Sequence, residues 1–306
     1  MSPYQLASSL VPSDVGKRVV IRHRLPDGQP TDVLGELDSW DPLSVRRRDG
    51  AVVVLDASAV LAGKVIAAHW ARDVASGELQ RIASDGWPAV ERAALGAWEL
   101  RAAAGFTKRA NSVLAVGSPG LPIDEALASV RAWYAQRGLP AVVQVPLPLA
   151  ASLDADLDAR GWTAGSLSHV LVAELRDLTV ESGSLATVSS MPSPDWLAAH
   201  LKPPPEALGV LIPGIYVSVQ RDGAIAGVAR GSVVRDWLLV SGLWVTEAQR
   251  RQGLALTLMG ALFEAAHELP ARHAFLQVED DNAVARAMYA KMGFTHHHSY
   301  VYRAAP

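Results

Sequence analysis

The run Arg250-Arg251-Gln252-Gly253-Leu254-Ala255 has the residue types for anion chemistry. It follows the apolar stretch Trp237 to Val245 and opens an amphipathic segment carrying Leu254, Leu258, Ala261, Leu262 and Ala265, so it falls at a strand-to-helix turn. Backbone N–H groups at such a turn face outward unpaired. Gly253 lets a ligand approach the main chain, and the helix dipole adds positive potential, which suits the turn to cradling a pyrophosphate. Downstream, Asn282 and Tyr289 lie seven residues apart, so both project from one face of a helix. Taken singly, Tyr289 reads as a core aromatic, Asn282 as a helix N-cap, and Arg250 and Arg251 as a solvated helix start; only their joint spacing argues for a site.

The elements that must position these groups are legible nearby. His273 to Val278 (HAFLQV) predicts a short buried strand, and Asn282 to Met292 a helix started by Asp281 or Asn282 and stopped by Gly293. Upstream, Trp87 to Ala104 predicts a helix, Phe106 to Val116 a strand, Ile123 to Arg137 a helix ended by Gly138, and Ala141 to Val145 a strand.

Arg250, Gly253 and Ala255, followed by Asn282, Ala285, Tyr289, Gly293 and Phe294, resemble the paired motifs of the GNAT (Gcn5-related) N-acetyltransferases over roughly residues 215 to 303. The resemblance implies an α/β (α+β) GNAT fold with a mixed sheet flanked by helices. It also implies acetyl-CoA as the cosubstrate and transfer of its acetyl group to a primary amine by direct attack in a ternary complex. By the same resemblance Val245 N–H would polarise the acetyl carbonyl, and Leu243, Trp244 and Val245 would run beside the pantetheine arm. The amides of Arg251, Gln252, Gly253, Leu254, Ala255 and Leu256 would hold the pyrophosphate, with Asn282 near the pantetheine and Tyr289 as general acid. A phenol, with a pKa of about 10, is protonated at neutral pH and can donate to a leaving thiolate whose thiol has a pKa of about 8.5. In several relatives a glutamate five residues before the asparagine is the base; here Gln277 stands there and cannot accept a proton. Glu279 is the expected substitute, with His200 and Glu206 next; an acidic run before a helix is otherwise a dipole-compensating cap.

The chain has 306 residues, half of them hydrophobic, a formal charge of −3 and no cysteine. The absence of thiols excludes disulfides, thiolate metal sites and a cysteine acyl-enzyme. No long apolar run or secretory layout is visible, so a cytoplasmic protein is expected, with no membrane partner and no electrostatic case for nucleic acid. Residues 1–65 read as short alternating strands separated by Pro-Asp-Gly, Asp-Pro and Asp-Gly, an outline similar to SH3-like barrels. Arg22, Arg24, Arg46, Arg47 and Arg48 would form either a basic face for an acidic or macromolecular partner or the solvated side of strands.

An internal comparison divides the remainder. AVVQVPLPLAASLDADLDARGWTAGSLSHVLVAEL aligns with AFLQVEDDNAVARAMYAKMGFTHHHSYVYRAAP, pairing Gln144 with Gln277, Gly161 with Gly293 and Trp162 with Phe294 at an offset of 132 to 133 residues. In the first copy Leu157 stands nearest to the place of Tyr289, and the prolines of Gly117-Ser118-Pro119-Gly120-Leu121-Pro122 lack the N–H groups a phosphate needs. The expectation is a tandem arrangement: a degenerate half over 66–178, a linker at Glu181 to Ser184, and a catalytic half over 184–306. The whole resembles a group of actinobacterial GNAT proteins, some labelled histone-acetyltransferase-like. The competing reading is a catalytically inactive acyl-CoA-binding module sensing CoA status through the barrel. His296-His297-His298 lies on a strand where at most two imidazoles converge, so no metal is expected. Lys202-Pro203-Pro204-Pro205 reads as a stiff loop.

Overall fold

The computed structural model describes residues 9–66, 71–178, 180, 186–211 and 214–306. Its N-terminal part is a five-stranded antiparallel sheet of β1 (Arg18–Arg24), β2 (Pro30–Trp40), β3 (Leu43–Arg46), β4 (Val52–Val54) and β5 (Val60–Val65), in the order β4-β3-β2-β1-β5. Alternation turns Val19, Ile21, Val33, Leu37 and Val45 inward, where all are buried. Of the five arginines singled out here, Arg22 pairs with Asp32 at 2.8 Å and Arg46 with Asp38 at 2.6 Å. Glu36 docks this sheet on the rest of the chain. Its carboxylate accepts from the Ser76 hydroxyl at 2.7 and 2.8 Å and from the Gly77 N–H at 2.9 Å, capping α1 (Ser76–Gly86).

The segment that follows corrects the expected helix. Residues 87–104 contain a hairpin, β6 (Glu91–Leu95) and β7 (Trp98–Ala102), turned at Gly96 with φ +58°. Alanine-rich composition favours a helix locally, but alternation buries Trp98 and Leu100 in one core while Arg101, on the other face, donates to the Ser112 carbonyl and to Gln144. The strand expected over 106–116 shrinks to β8 (Val113–Leu114). The loop before it is held by Asn111, which accepts from Ala103 and Gly105 N–H and donates to the Phe106 and Thr107 carbonyls.

The chain continues through α2 (Ile123–Ala135), β9 (Val142–Leu147), α3 (Ala151–Ala159), β10 (Thr163–Ala164), β11 (Ser168–Glu174), β12 (Ala186–Ser189) and α4 (Pro194–Ala199). It ends with β13 (Ile215–Arg221), β14 (Ala224–Val234), β15 (Trp237–Val245), α5 (Leu254–His267), β16 (His273–Glu279), α6 (Ala283–Lys291) and β17 (Thr295–Ala304). One mixed twelve-stranded sheet runs β12-β13-β14-β15-β16-β11-β17-β9-β8-β7-β6, with β10 on β17. Parallel pairs β15–β16 and β8–β9 flank a central antiparallel pair, β11–β17. Each central strand lies beside the other half's parallel pair: β11 pairs with β16, and β17 with β9. The two halves thus exchange their last strands, and Val170, Val172, Phe275 and Tyr300 share one buried cluster. The linker expected at Glu181 to Ser184 lies outside the described residues.

Candidate active site

The site begins where β15 and β16 part. They pair from Trp237↔His273 to Val240↔Leu276 and no further, although β15 runs on to Val245. A bulge explains the divergence: two residues of β15 between Ser241 and Trp244 oppose one of β14, and Gly242 takes φ +61°. Thr246 N–H donates to the Ala226 carbonyl at 2.9 Å, toward β14. Antiparallel alternation therefore turns Val245 N–H to the open side. The parted strands form a V-shaped cleft of about 400 Å³, which Leu243, Gln277, Glu279, Asn282 and Tyr289 all line.

Beyond β15 the chain enters α5 through two residues in the left-handed region, Arg251 at φ +60° and Gly253 at φ +81°. The amides of residues 251–255 meet no acceptor among the described residues, while Leu256 and Thr257 donate back to the Gly253 carbonyl. Five outward donors at a helix N-terminus form a concavity for an anion. A Cβ on Gly253 would meet nothing within 4 Å, so backbone conformation, not crowding, favours glycine there. Arg250 and Gln252 fold back onto the Val245 and Ala248 carbonyls. Leu254 is buried, anchoring the turn, whereas Leu256 is exposed.

Tyr289 projects from α6 into the cleft, with its ring 5.9 Å from that of Phe294. Burial among apolar side chains pushes its phenol up to about 12, so it holds its proton throughout the physiological range. Asn282 caps α6, accepting from Ala285 N–H at 3.1 Å, and also faces the cleft. Trp244 points to the opposite face from Leu243 and Val245 and stacks on His200, ring centroids 5.6 Å apart. Burial lowers the pKa of His200, leaving it neutral at pH 7 and able to accept a proton. Glu279 sits exposed at the rim, paired in register with Ser168. Asp280 is engaged by His169 at 2.8 Å and by Arg286, and Glu206 is exposed and outside the cleft lining.

Sequence reasoning missed the far wall. Trp87, Thr107, Lys108 and Arg109, from the first half, line the cleft together with Tyr300 and Tyr302 of β17. Only the non-local topology brings them there, and no motif marks them. Two of the three histidines are held in the structure, while His296 is exposed and contacts Ser299. His298 contacts Gln80 at 2.8 Å, and Gln80 accepts from Gln144. His297 bonds the Val74 carbonyl, and no grouping of ligands suited to a metal occurs among the described residues.

A sheet with parted central strands, a donor-rich turn entering the next helix and a tyrosine facing the gap define an acyltransferase of the GNAT type. Residues 76–303 match the family described as "Probable histone acetyltransferase Rv0428c C-terminal", and residues 13–64 match "Rv0428c N-terminal Sm-like domain"; the chain belongs to this family. It is 29% identical over 308 residues to the probable histone acetyltransferase Rv0428c of Mycobacterium tuberculosis, covering 93% of each chain. It is 24% identical to the uncharacterized N-acetyltransferase YobR of Bacillus subtilis, over 71% of this chain and 94% of the relative. In fold it is similar to a GCN5-related N-acetyltransferase from Kribbella flavida, with TM-score 0.60 and 18% identity over 76% of this chain and 95% of that one. Among the described residues no helix is long and apolar enough to cross a membrane.

Proposed function

We propose that the chain transfers the acetyl group of acetyl-CoA to a primary amine by direct attack within the β15–β16 cleft. The observation that carries this reading is the open edge of β15. Val245 N–H faces a gap that Tyr289 also faces, and a turn with five free amides leads into the helix that follows. The β15 edge can take the pantetheine arm as an added strand would be taken, and the amides of residues 251–255 suit its pyrophosphate. Val245 N–H donates to the carbonyl oxygen as the amine nitrogen forms its bond to carbon, stabilising the charge that develops there. As the carbon–sulfur bond breaks, the Tyr289 hydroxyl supplies the proton to sulfur, and its phenolate is restored by the proton that nitrogen sheds as the amide forms. The ammonium must lose a proton before attack. Glu279 at the rim and neutral His200 inside are the two acceptors the cleft offers.

The acceptor can be a small amine, a protein N-terminus or a lysine; the mycobacterial relative is named for histones. The second reading, an acyl-CoA-binding module without turnover, draws support from Gln277, which places an amide where a base would serve. Thiol release from acetyl-CoA across acceptor classes separates the two. Amine-dependent release supports transfer, and tight binding without release supports sensing.

A further inference from the structure

The cleft's acceptor side is built for negative charge. Arg109 lies in the Asn111-pinned loop, its guanidinium carbon 5.5 Å from the Trp87 ring centroid, and it lines the cleft. Its Nε is buried without a hydrogen-bond partner, and no carboxylate pairs with it among the described residues. Gln277, also in the lining, accepts from the Tyr300 hydroxyl at 3.2 Å, while its Nε2 is likewise buried and unpartnered. Both residues belong to the lining of one cavity, and a buried donor without a partner is costly unless an acceptor reaches it. Lys108 adds a second cation, and the only carboxylate in the lining, Glu279, is exposed at the rim. A polycation would meet this wall with like charge.

We propose that the acceptor is a compact amine that also bears a carboxylate, which Arg109 and the Gln277 amide receive while the amine is presented to the acetyl group. A guanidinium fits a carboxylate through parallel N–H···O bonds, and the Gln277 Nε2–H supplies a further donor. The proposal rests on the acetyltransferase reading for the amine's fate, but the carboxylate pocket itself is independent of turnover. It also gives the substitution at position 277 a purpose: a glutamate there would repel the acceptor's carboxylate.

The test uses the full chain with CoA bound and three matched probe sets: phenylalanine, phenylalaninamide and phenethylamine; glycine and glycinamide; and glutamate and glutaminamide, with a lysine-rich peptide as the cationic contrast. Binding is read by calorimetry and transfer by thiol release. In at least one set the carboxylate member should bind roughly 10- to 100-fold tighter than its carboxylate-free counterpart, the range for one charge-assisted contact. Arg109→Gln should erase that preference and Arg109→Lys keep part of it. Gln277→Glu should weaken carboxylate binding at least tenfold and guards against misfolding at position 109. Carboxylate-selective, Arg109-dependent binding without thiol release would sink the transfer reading and leave the pocket standing. No preference in any set, a preference untouched by Arg109→Gln, or a tighter grip on the lysine-rich peptide would overturn the pocket, whatever the activity.

Discussion

Replacing Tyr289 by Phe removes one oxygen and leaves the packing intact. The ring contributes to the core with Phe294, and its residue is only 8% exposed, so the fold should keep its stability to within about 1 kcal/mol. The chemistry should suffer. With its phenol at about 12, essentially every molecule carries the proton at pH 7.5. Transfer to a thiolate whose thiol has a pKa of about 8.5 in water is uphill by about 5 kcal/mol, since each pKa unit is worth about 1.36 kcal/mol. The burial that raises the phenol also disfavours a free thiolate, which narrows the gap and favours proton donation concerted with carbon–sulfur cleavage. A general acid in this role contributes roughly 10²- to 10⁴-fold, so Tyr289→Phe should lower kcat about 10²-fold or more while acetyl-CoA affinity changes less than about threefold. Thiol release gives the rate and calorimetry gives the affinity; because the chain has no cysteine, the thiol signal is free of background. An unchanged kcat would remove Tyr289 from the proton path.

Gly253→Asp puts a carboxylate at a left-handed position among the free amides and should weaken acetyl-CoA binding about tenfold or more by calorimetry; an unaltered affinity would place the pyrophosphate elsewhere. Stability should fall with acidity. Burial lowers His297 to about 4, below the roughly 6.5 of an unfolded histidine, so its neutral form favours the fold and protons bind preferentially to the unfolded chain between those values. Between pH 7 and pH 5 this site alone costs about 2 kcal/mol, and His298 shifts in the same direction. Urea midpoints at both pH values measure the loss, and His297→Gln should shrink it; equal stability in the parent would contradict the burial. Glu36→Ala should reduce stability by about 1 to 3 kcal/mol, since it leaves Ser76 and Gly77 at the start of α1 uncapped, and a midpoint unchanged in urea would mean water replaces it freely.

The half carrying Gly253, Asn282 and Tyr289 was readable because its chemistry is local. A glycine turn between an apolar run and an amphipathic run, then a capped helix, fixes strand, turn and helix in order, and α5, β16 and α6 follow that reading. The hairpin of β6 and β7 was not readable. Its alanines favour helix, and only distant partners, the Ser112 carbonyl and Gln144 for Arg101 and the core around Trp98, decide for strand. Exchange of β11 and β17 between halves is a pairing across more than a hundred residues, which no local spacing encodes. Arg109 was invisible for the same reason: a lone arginine in a loop gains meaning only when the fold brings it into one cavity lining with Gln277.

The most direct test of the central claim is stoichiometric: CoA thiol and acetylated amine quantified together as the full chain is offered acetyl-CoA with small amines, amino acids, polyamines and basic peptides. Transfer in the cleft predicts that one acceptor class yields the two products in equal amounts, at a rate that collapses in Tyr289→Phe. Acetyl-CoA bound tightly with no acetylated amine from any acceptor, or with product formation indifferent to Tyr289, would contradict it.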